Sequence, residues 1–167
     1  RSILELCDEV VVNVGKSEDG TRDLVAAIGD PRVRILDTVW DFSRGSDALS
    51  IETNRALAAC RGTWGLYIQA DEVLHDTGAA ILRDSVRAWD GDARVEGLLV
   101  DYLHFYGDFD TVATNRHWYR REVRVVRLGR EHVVVPIVHV ERERRQLRAH
   151  ELLCVEQHRQ DLTRDGA

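Results

Sequence analysis

The chain has no methionine, only two prolines and only three cysteines in 167 residues, and 7% of it is aromatic. The cysteines, Cys7, Cys60 and Cys154, are widely spaced, odd in number and without a CxxC or a paired histidine. That pattern excludes a disulfide framework and a structural zinc site, and predicts core thiols in a reducing compartment. No apolar run approaches the roughly 18 residues of a membrane span, and no secretory leader opens the sequence. A soluble, cytoplasmic protein is expected, with peripheral contact to a membrane left open. Repeats, low-complexity segments and separable linkers are absent too, so the length predicts one ordinary domain, large enough to bury about two thirds of its unfolded surface.

Charge is abundant and unevenly placed. Residues 1–111 carry net −10 and residues 112–167 net +4, within an overall −6. The field of the first part repels anions, so a phosphate ligand there needs a metal ion or local dipoles. The basic second part mixes its arginines with acids, which predicts a solvated face rather than a nucleic-acid surface.

The stretch Trp64–Glu72, WGLYIQADE, organises the rest. Trp64, Leu66, Tyr67 and Ile68 form the short apolar run of a strand buried on both faces, and it stops at Gln69, Ala70, Asp71 and Glu72. In an open α/β sheet ligands sit beyond the carboxyl ends of strands, which suits a carboxylate there to a cation. A plain strand-to-helix turn capped by Asp71 or Glu72 explains the same nine residues. Upstream, Glu9 to Val14 reads as a strand running into the polar loop Gly15–Thr21. A helix follows, capped by Thr21 or Asp19, with Leu24, Val25 and Ile28 inside and Gly29 plus Pro31 as its stop. Strand, tight loop and capped helix make half a mononucleotide-binding unit, although Lys16 stands alone and the loop lacks the Walker A spacing. Arg32–Trp40 is a second strand. Ser46 opens a helix with Leu49, Thr53, Ala56, Leu57 and Cys60 on its buried face.

Taken in order, VVVNVGKSEDGT (Val10–Thr21), IETNRALAACRGTW (Ile51–Trp64), YIQADE (Tyr67–Glu72) and EGLLVDYLHFYGDFD (Glu96–Asp110) resemble the inverting family 2 glycosyltransferases of GT-A fold. The likeness covers about residues 1–127, and residues 128–167 form a divergent end. It implies an α/β architecture: a mixed, mostly parallel Rossmann-like sheet flanked by helices. The sheet is expected to be incomplete, because the opening RSILELCD reads as a helix with no strand before it. The resemblance further implies a nucleotide-diphosphate sugar donor bound by Asn13, Gly15, Ser17, Asp19, Asn54, Gln69 and Asp71. A divalent cation, Mg²⁺ or Mn²⁺, would sit at Asp71, with Glu72 as a second ligand. Asn13 stands where the family commonly has an aspartate reading the base, and Gln69 where it has the first acid of the metal motif.

Downstream, a helix with Ile81, Leu82, Val86 and Trp89 inside is expected after His75, itself a capping or solvent residue. Arg94–Asp110 reads as a long strand whose aromatics, in the family, border the acceptor. Its acids Asp101, Asp108 and Asp110 are the nearest candidates for a general base, and none matches a motif. His104, among apolar residues, is expected as a satisfied core histidine. After Leu128 come a Val-rich strand, His132–Val140, and a charged helix from Glu141 to about Gln160. His139 is a weak candidate ligand. Two accounts fit this end, a replacement tail or a cut or frame-altered sequence, and the second is preferred.

The function implied is metal-dependent inverting transfer of a sugar to a hydroxyl of a glycan, a lipid-linked or another acceptor. Alternatives are a non-catalytic sugar-nucleotide-binding remnant, an interaction module, or a nucleotidyltransferase. Nucleic acid is not expected as a partner.

Overall fold

A computed structural model of the chain describes residues 2–45, 47–113, 118–129 and 147–157. They form a mixed α/β protein with a small parallel and a small antiparallel-containing sheet, divided into two compact units. Of the described residues the first unit holds Ile3–Tyr67 and Val125–Gly129; the second holds Ser2, Ile68–Arg124 and 147–157. The divisions thus fall after Tyr67 and after Arg124, whereas the sequence reading set its boundary after Arg127. The expected strand His132–Val140 and His139 lie outside the described residues.

In the first unit, β1 (Val10–Gly15), α1 (Thr21–Ala26) and β2 (Val33–Thr38) follow the predicted order. The two strands pair in parallel, Val10 opposite Val33 through Gly15 opposite Thr38. The helix starts without a side-chain cap, because Gly20 takes a left-handed φ of 78° at the N-cap position. Asp19 instead accepts from the Thr21 backbone N–H at 2.9 Å, closing the loop one residue earlier. The predicted buried face of α1 is only half-buried at Val25 and Ile28, and Leu24 is 73% exposed. A six-residue helix on a two-stranded sheet has too little surface to cover it.

A short 3-10 turn, Phe42–Arg44, leads to α2 (Asp47–Ala59). Its buried residues are Ala48 and Glu52, not the expected Leu49, which is half exposed. The helix is rotated so that a carboxylate faces inward, for reasons given below. The strand expected at Trp64–Ile68 shortens to β3 (Trp64–Leu66), antiparallel to the last residues of β6 (Arg121–Arg127). Its apolar side chains are half-buried and Gly65 is the buried residue. A Cβ on Gly65 would meet Leu128 at 3.0 Å and Leu57 at 3.2 Å, so close packing there demands glycine. The Arg127 guanidinium covers the Trp64 ring at 4.2 Å from its centroid.

The second unit contains β4 (Glu72–Leu74), α3 (Gly78–Trp89), β5 (Gly97–Tyr106), the start of β6, and β7 (Leu147–Gln157), in the sheet order β6-β5-β7-β4. β5 alternates strictly, with Leu98, Val100, Tyr102 and His104 buried. Leu98, Val100 and Leu82 of α3 are the largest fully buried side chains, each contributing about 1.5–3 kcal/mol by leaving water. On α3, Ile81 is 39% exposed, so the expected inner face is narrower than its pattern suggested. The largest correction is β7. The charged helix predicted over Glu141–Gln160 is a strand from Leu147 to Gln157, parallel to β5 and antiparallel to β4. Pairing on both edges overrides the helical propensity of its leucines and glutamates. Among the described residues no helix is long and apolar enough to cross a membrane.

Candidate functional site

The first unit's candidates sit on β1 and the loop after it. Asn13 donates from Nδ2 to both the backbone oxygen and Oε2 of Glu52, each at 2.9 Å. Its Oδ1 accepts from the Thr38 hydroxyl at 2.6 Å, and that hydroxyl accepts from Trp40 Nε1 at 3.1 Å. The amide expected to read a base therefore holds α2 onto β1 and β2. This is why Glu52 points inward, 3% exposed, with Arg55 on its other oxygen at 2.7 Å. Gly15 is explained by a neighbour: a Cβ there would meet the Trp40 ring at 3.0 Å. Ser17 and Asp19 lie in the exposed loop, where Ser17 Oγ accepts from the Asp19 N–H at 3.3 Å. Hydrogen bonds from Ser17 and then Thr21 hold the Asp19 carboxyl at about 2, well below the usual range. Asn54 is half-buried on α2.

At the other end of the unit Glu9 closes a clamp. Its carboxylate accepts from the Arg61 backbone N–H and from Arg34 at 3.2 Å, while Arg34 also donates to the Ala59 carbonyl at 2.5 Å. The Arg61 bond is the main reason the Glu9 carboxyl is pulled below its ordinary value. Cys7 and Cys60, expected as core thiols, are half-buried, and burial pushes both thiols up.

In the second unit the acid-bearing stretch is a turn followed by a strand. The Glu72 N–H donates to the Gln69 carbonyl at 3.1 Å, and Asp71 stands exposed within that turn. Glu72 goes inward instead of serving as an open metal ligand. Its Oε1 accepts from Arg124 at 2.5 Å and from the Tyr102 hydroxyl at 3.0 Å, and its Oε2 from the Gln69 N–H at 2.9 Å. Both ionic side chains are almost wholly buried, 1% exposed for Glu72 and 3% for Arg124. A carboxylate with both oxygens committed to a buried guanidinium, a phenol and an amide has little left for a cation. Arg124 also donates to the Tyr102 hydroxyl and lies over its ring, 5.2 Å from the centroid. Burial works against the Arg124 charge, yet Glu72, Tyr102 and Tyr119 together outweigh it and raise the pKa. Burial raises the Tyr102 phenol, so it stays a neutral donor. Burial also raises half-buried Glu122, two residues from Arg124 on β6.

None of the three base candidates is poised as a base. Asp101 pairs with Arg121 at 2.5 Å. Asp108 accepts from the Asp110 N–H at 3.0 Å in the turn after β5, and bonding to Thr111 lowers its pKa, away from a base operating near neutrality. Asp110 is exposed in the same turn. His75, expected as a capping or solvent residue, is exposed, and its Nδ1 accepts from the Thr77 N–H at 3.3 Å ahead of α3.

His104 is only half satisfied. Its Nε2 lies 2.6 Å from the Tyr119 carbonyl and so carries the donated hydrogen, while Nδ1 is buried without a partner. The ring stacks on Tyr102 at 5.5 Å and meets Tyr119 edge-on at 4.7 Å. Tyr102, His104, Trp118, Asp101 and Arg121 line an open cleft of about 700 Å³. Among the described residues no group of three or more histidines, cysteines and carboxylates could hold a metal ion.

Sequence reasoning missed Glu52, Arg124 and Glu122, and it read Tyr102 as an acceptor-side aromatic and not as a partner of Glu72. One signal was present: Arg124 stands between Val123 and Val125 in a strand, where a charge needs a buried partner. Its partner is distant in sequence, and no spacing names it.

What fold and side chains together define is a mixed α/β protein with two buried carboxylate networks, an open polar loop after a parallel strand, and an exposed turn acid at Asp71. No family model matches the chain, and no curated protein matches it.

Proposed function

We propose that this chain is a glycosyltransferase of the inverting GT-A type that takes its sugar from a nucleotide-diphosphate donor. The observation that carries the reading is the fate of the two adjacent acids: Glu72 is consumed by Arg124, and Asp71 stays exposed in the turn after β3. In this reading Asp71 would hold Mg²⁺ or Mn²⁺, and the ion would supply Lewis-acid stabilisation of negative charge. The parallel β1–α1–β2 unit and its polar loop Lys16–Gly20 support nucleotide binding by that unit. Asn13 acts there as a strut and not as a reader of the base.

A second reading, binding of sugar nucleotide without transfer, is favoured by the state of the acids on and after β5. Asp101 is paired with Arg121, and Asp108 is shifted away from basicity. Calorimetric titration with sugar nucleotides and Mn²⁺ tests both. Binding that requires Mn²⁺ and disappears in Asp71→Asn supports the assignment, and unchanged affinity in that variant removes it. Product analysis with labelled donor then separates transfer to an acceptor from binding alone and from nucleotidyl transfer to a sugar phosphate.

A further inference from the structure

The carboxyl ends of β1 and β2 carry an aromatic pair. The strands finish side by side, Gly15 opposite Thr38, and the Lys16 N–H donates to the Thr38 carbonyl at 2.9 Å. Trp40, two residues past that pairing, packs its indole against Gly15, where a Cβ would stand 3.0 Å from two of the ring atoms. The indole is also fixed in direction, because its Nε1 donates to the Thr38 hydroxyl at 3.1 Å. Phe42 follows, its ring centroid 5.8 Å from that of Trp40 and its plane inclined at 39°.

Phe42 is the outer ring of the two, 73% exposed where Trp40 is half-buried. A braced turn presents it: Asp41 accepts from the Ser43 N–H at 3.1 Å, from the Ser43 hydroxyl at 2.5 Å and from Arg44 at 3.2 Å. Ligands of open α/β sheets gather beyond the carboxyl ends of parallel strands, which is where this ring and the polar loop Lys16–Gly20 both stand.

Electrostatics select the kind of attraction. Residues 1–111 carry net −10, a field that opposes phosphate groups and leaves stacking on a neutral ring intact. Asn13, which was expected to read a base edge, is spent on Glu52 and on Thr38. An aromatic face makes no such choice, since every base presents a π-system to it.

The geometry points to Phe42, backed by Trp40, as the stacking platform for the base of a nucleoside diphosphate, taking purines and pyrimidines alike. This rests on the nucleotide-binding reading of the β1–α1–β2 unit, and adds to it the side chain that grips the base and the absence of base selectivity.

Calorimetric titration of the chain with UDP, ADP and GDP, each with and without Mn²⁺, tests it. The three are expected to bind with similar affinity, and each to weaken at least about fivefold in Phe42→Ala, the loss that follows from removing one base–aromatic stack. Phe42→Trp is expected to restore binding, and thermal unfolding to be unchanged in both variants because the ring is exposed. Equal affinities in Phe42→Ala and the unaltered chain overturn the platform, as does binding of one base to the exclusion of the others. Binding that needs Asp71 and Mn²⁺ but not Phe42 overturns the platform and leaves the transferase reading standing. Binding that needs Phe42 and is indifferent to Asp71→Asn keeps the platform and removes the metal-dependent reading. No binding of any of the three overturns both.

Discussion

Among the described residues each unit buries one glutamate, and the two are treated differently. Glu52 in the first unit leans on an amide and a hydroxyl-bonded strut, with an arginine that is itself half in water: Asn13 supplies two hydrogen bonds, and Arg55 is 52% exposed. Glu72 in the second unit is held by an arginine that is 3% exposed and by a buried phenol. Both fasten one element to another, α2 to the parallel strands and β4 to β5 and β6. The difference is where the compensating charge sits. A half-exposed partner keeps its own hydration and gives little, whereas a buried partner has surrendered its hydration and cannot be removed without stranding the other ion.

The contrast breaks most readily at the arginines. Arg124→Ala is expected to cost about 3–5 kcal/mol in urea unfolding because Glu72 is left buried and uncompensated, while Arg55→Ala costs under about 1 kcal/mol. Replacing both partners, Glu72→Leu with Arg124→Met, should cost far less than the two single losses combined. If the double change is as damaging as their sum, the pair is not acting as a unit. Next in size is Asn13→Ala, which removes the amide from Glu52 and the acceptor from Thr38; about 1–3 kcal/mol is expected. The same variant should leave any metal-dependent nucleotide affinity largely intact if Asn13 is a strut, so calorimetry on it separates the structural role from base reading.

The smallest effects are in pH dependence, and the two units should differ in sign. Glu9 in the first unit has its pKa lowered, so its contribution is present above the ordinary glutamate value of about 4.3 and is lost as pH falls through the folded value. Glu122 in the second unit has its pKa raised by burial, so the fold favours its protonated form. That contribution is present in acid and lost as pH rises through the folded value. Stability profiles of Glu9→Gln and Glu122→Gln against the unaltered chain should therefore diverge above about pH 4–5 in opposite directions, the first less stable and the second more stable. Parallel profiles would refute this opposition.

Much of the first unit was legible beforehand. Val10–Gly15, the polar loop and Val33–Thr38 announce themselves through valine runs punctuated by Gly20, Gly29 and Pro31, all local signals. The surroundings of the candidate residues were not legible: Asp71 is exposed in its turn, and Glu72 and Asn13, expected to face a ligand, meet arginine and glutamate. The segment Leu147–Gln157 was misread as helix because its strand character arises from β4 and β5 on either side, neither of them adjacent in sequence.

By itself the sequence determined the elements whose signals lie within a few residues: the β1–α1–β2 succession, α3, the strand character of β5, and the loop and turn that carry the candidate ligand groups. Only the tertiary structure decided which polar residues are spent on holding the fold. Asn13 meets Glu52 across 39 positions and Arg124 meets Glu72 across 52. A side chain's hydrogen-bonding capacity is fixed by its chemistry, but whether a partner or the solvent takes it up depends on what long-range packing brings within about 3 Å.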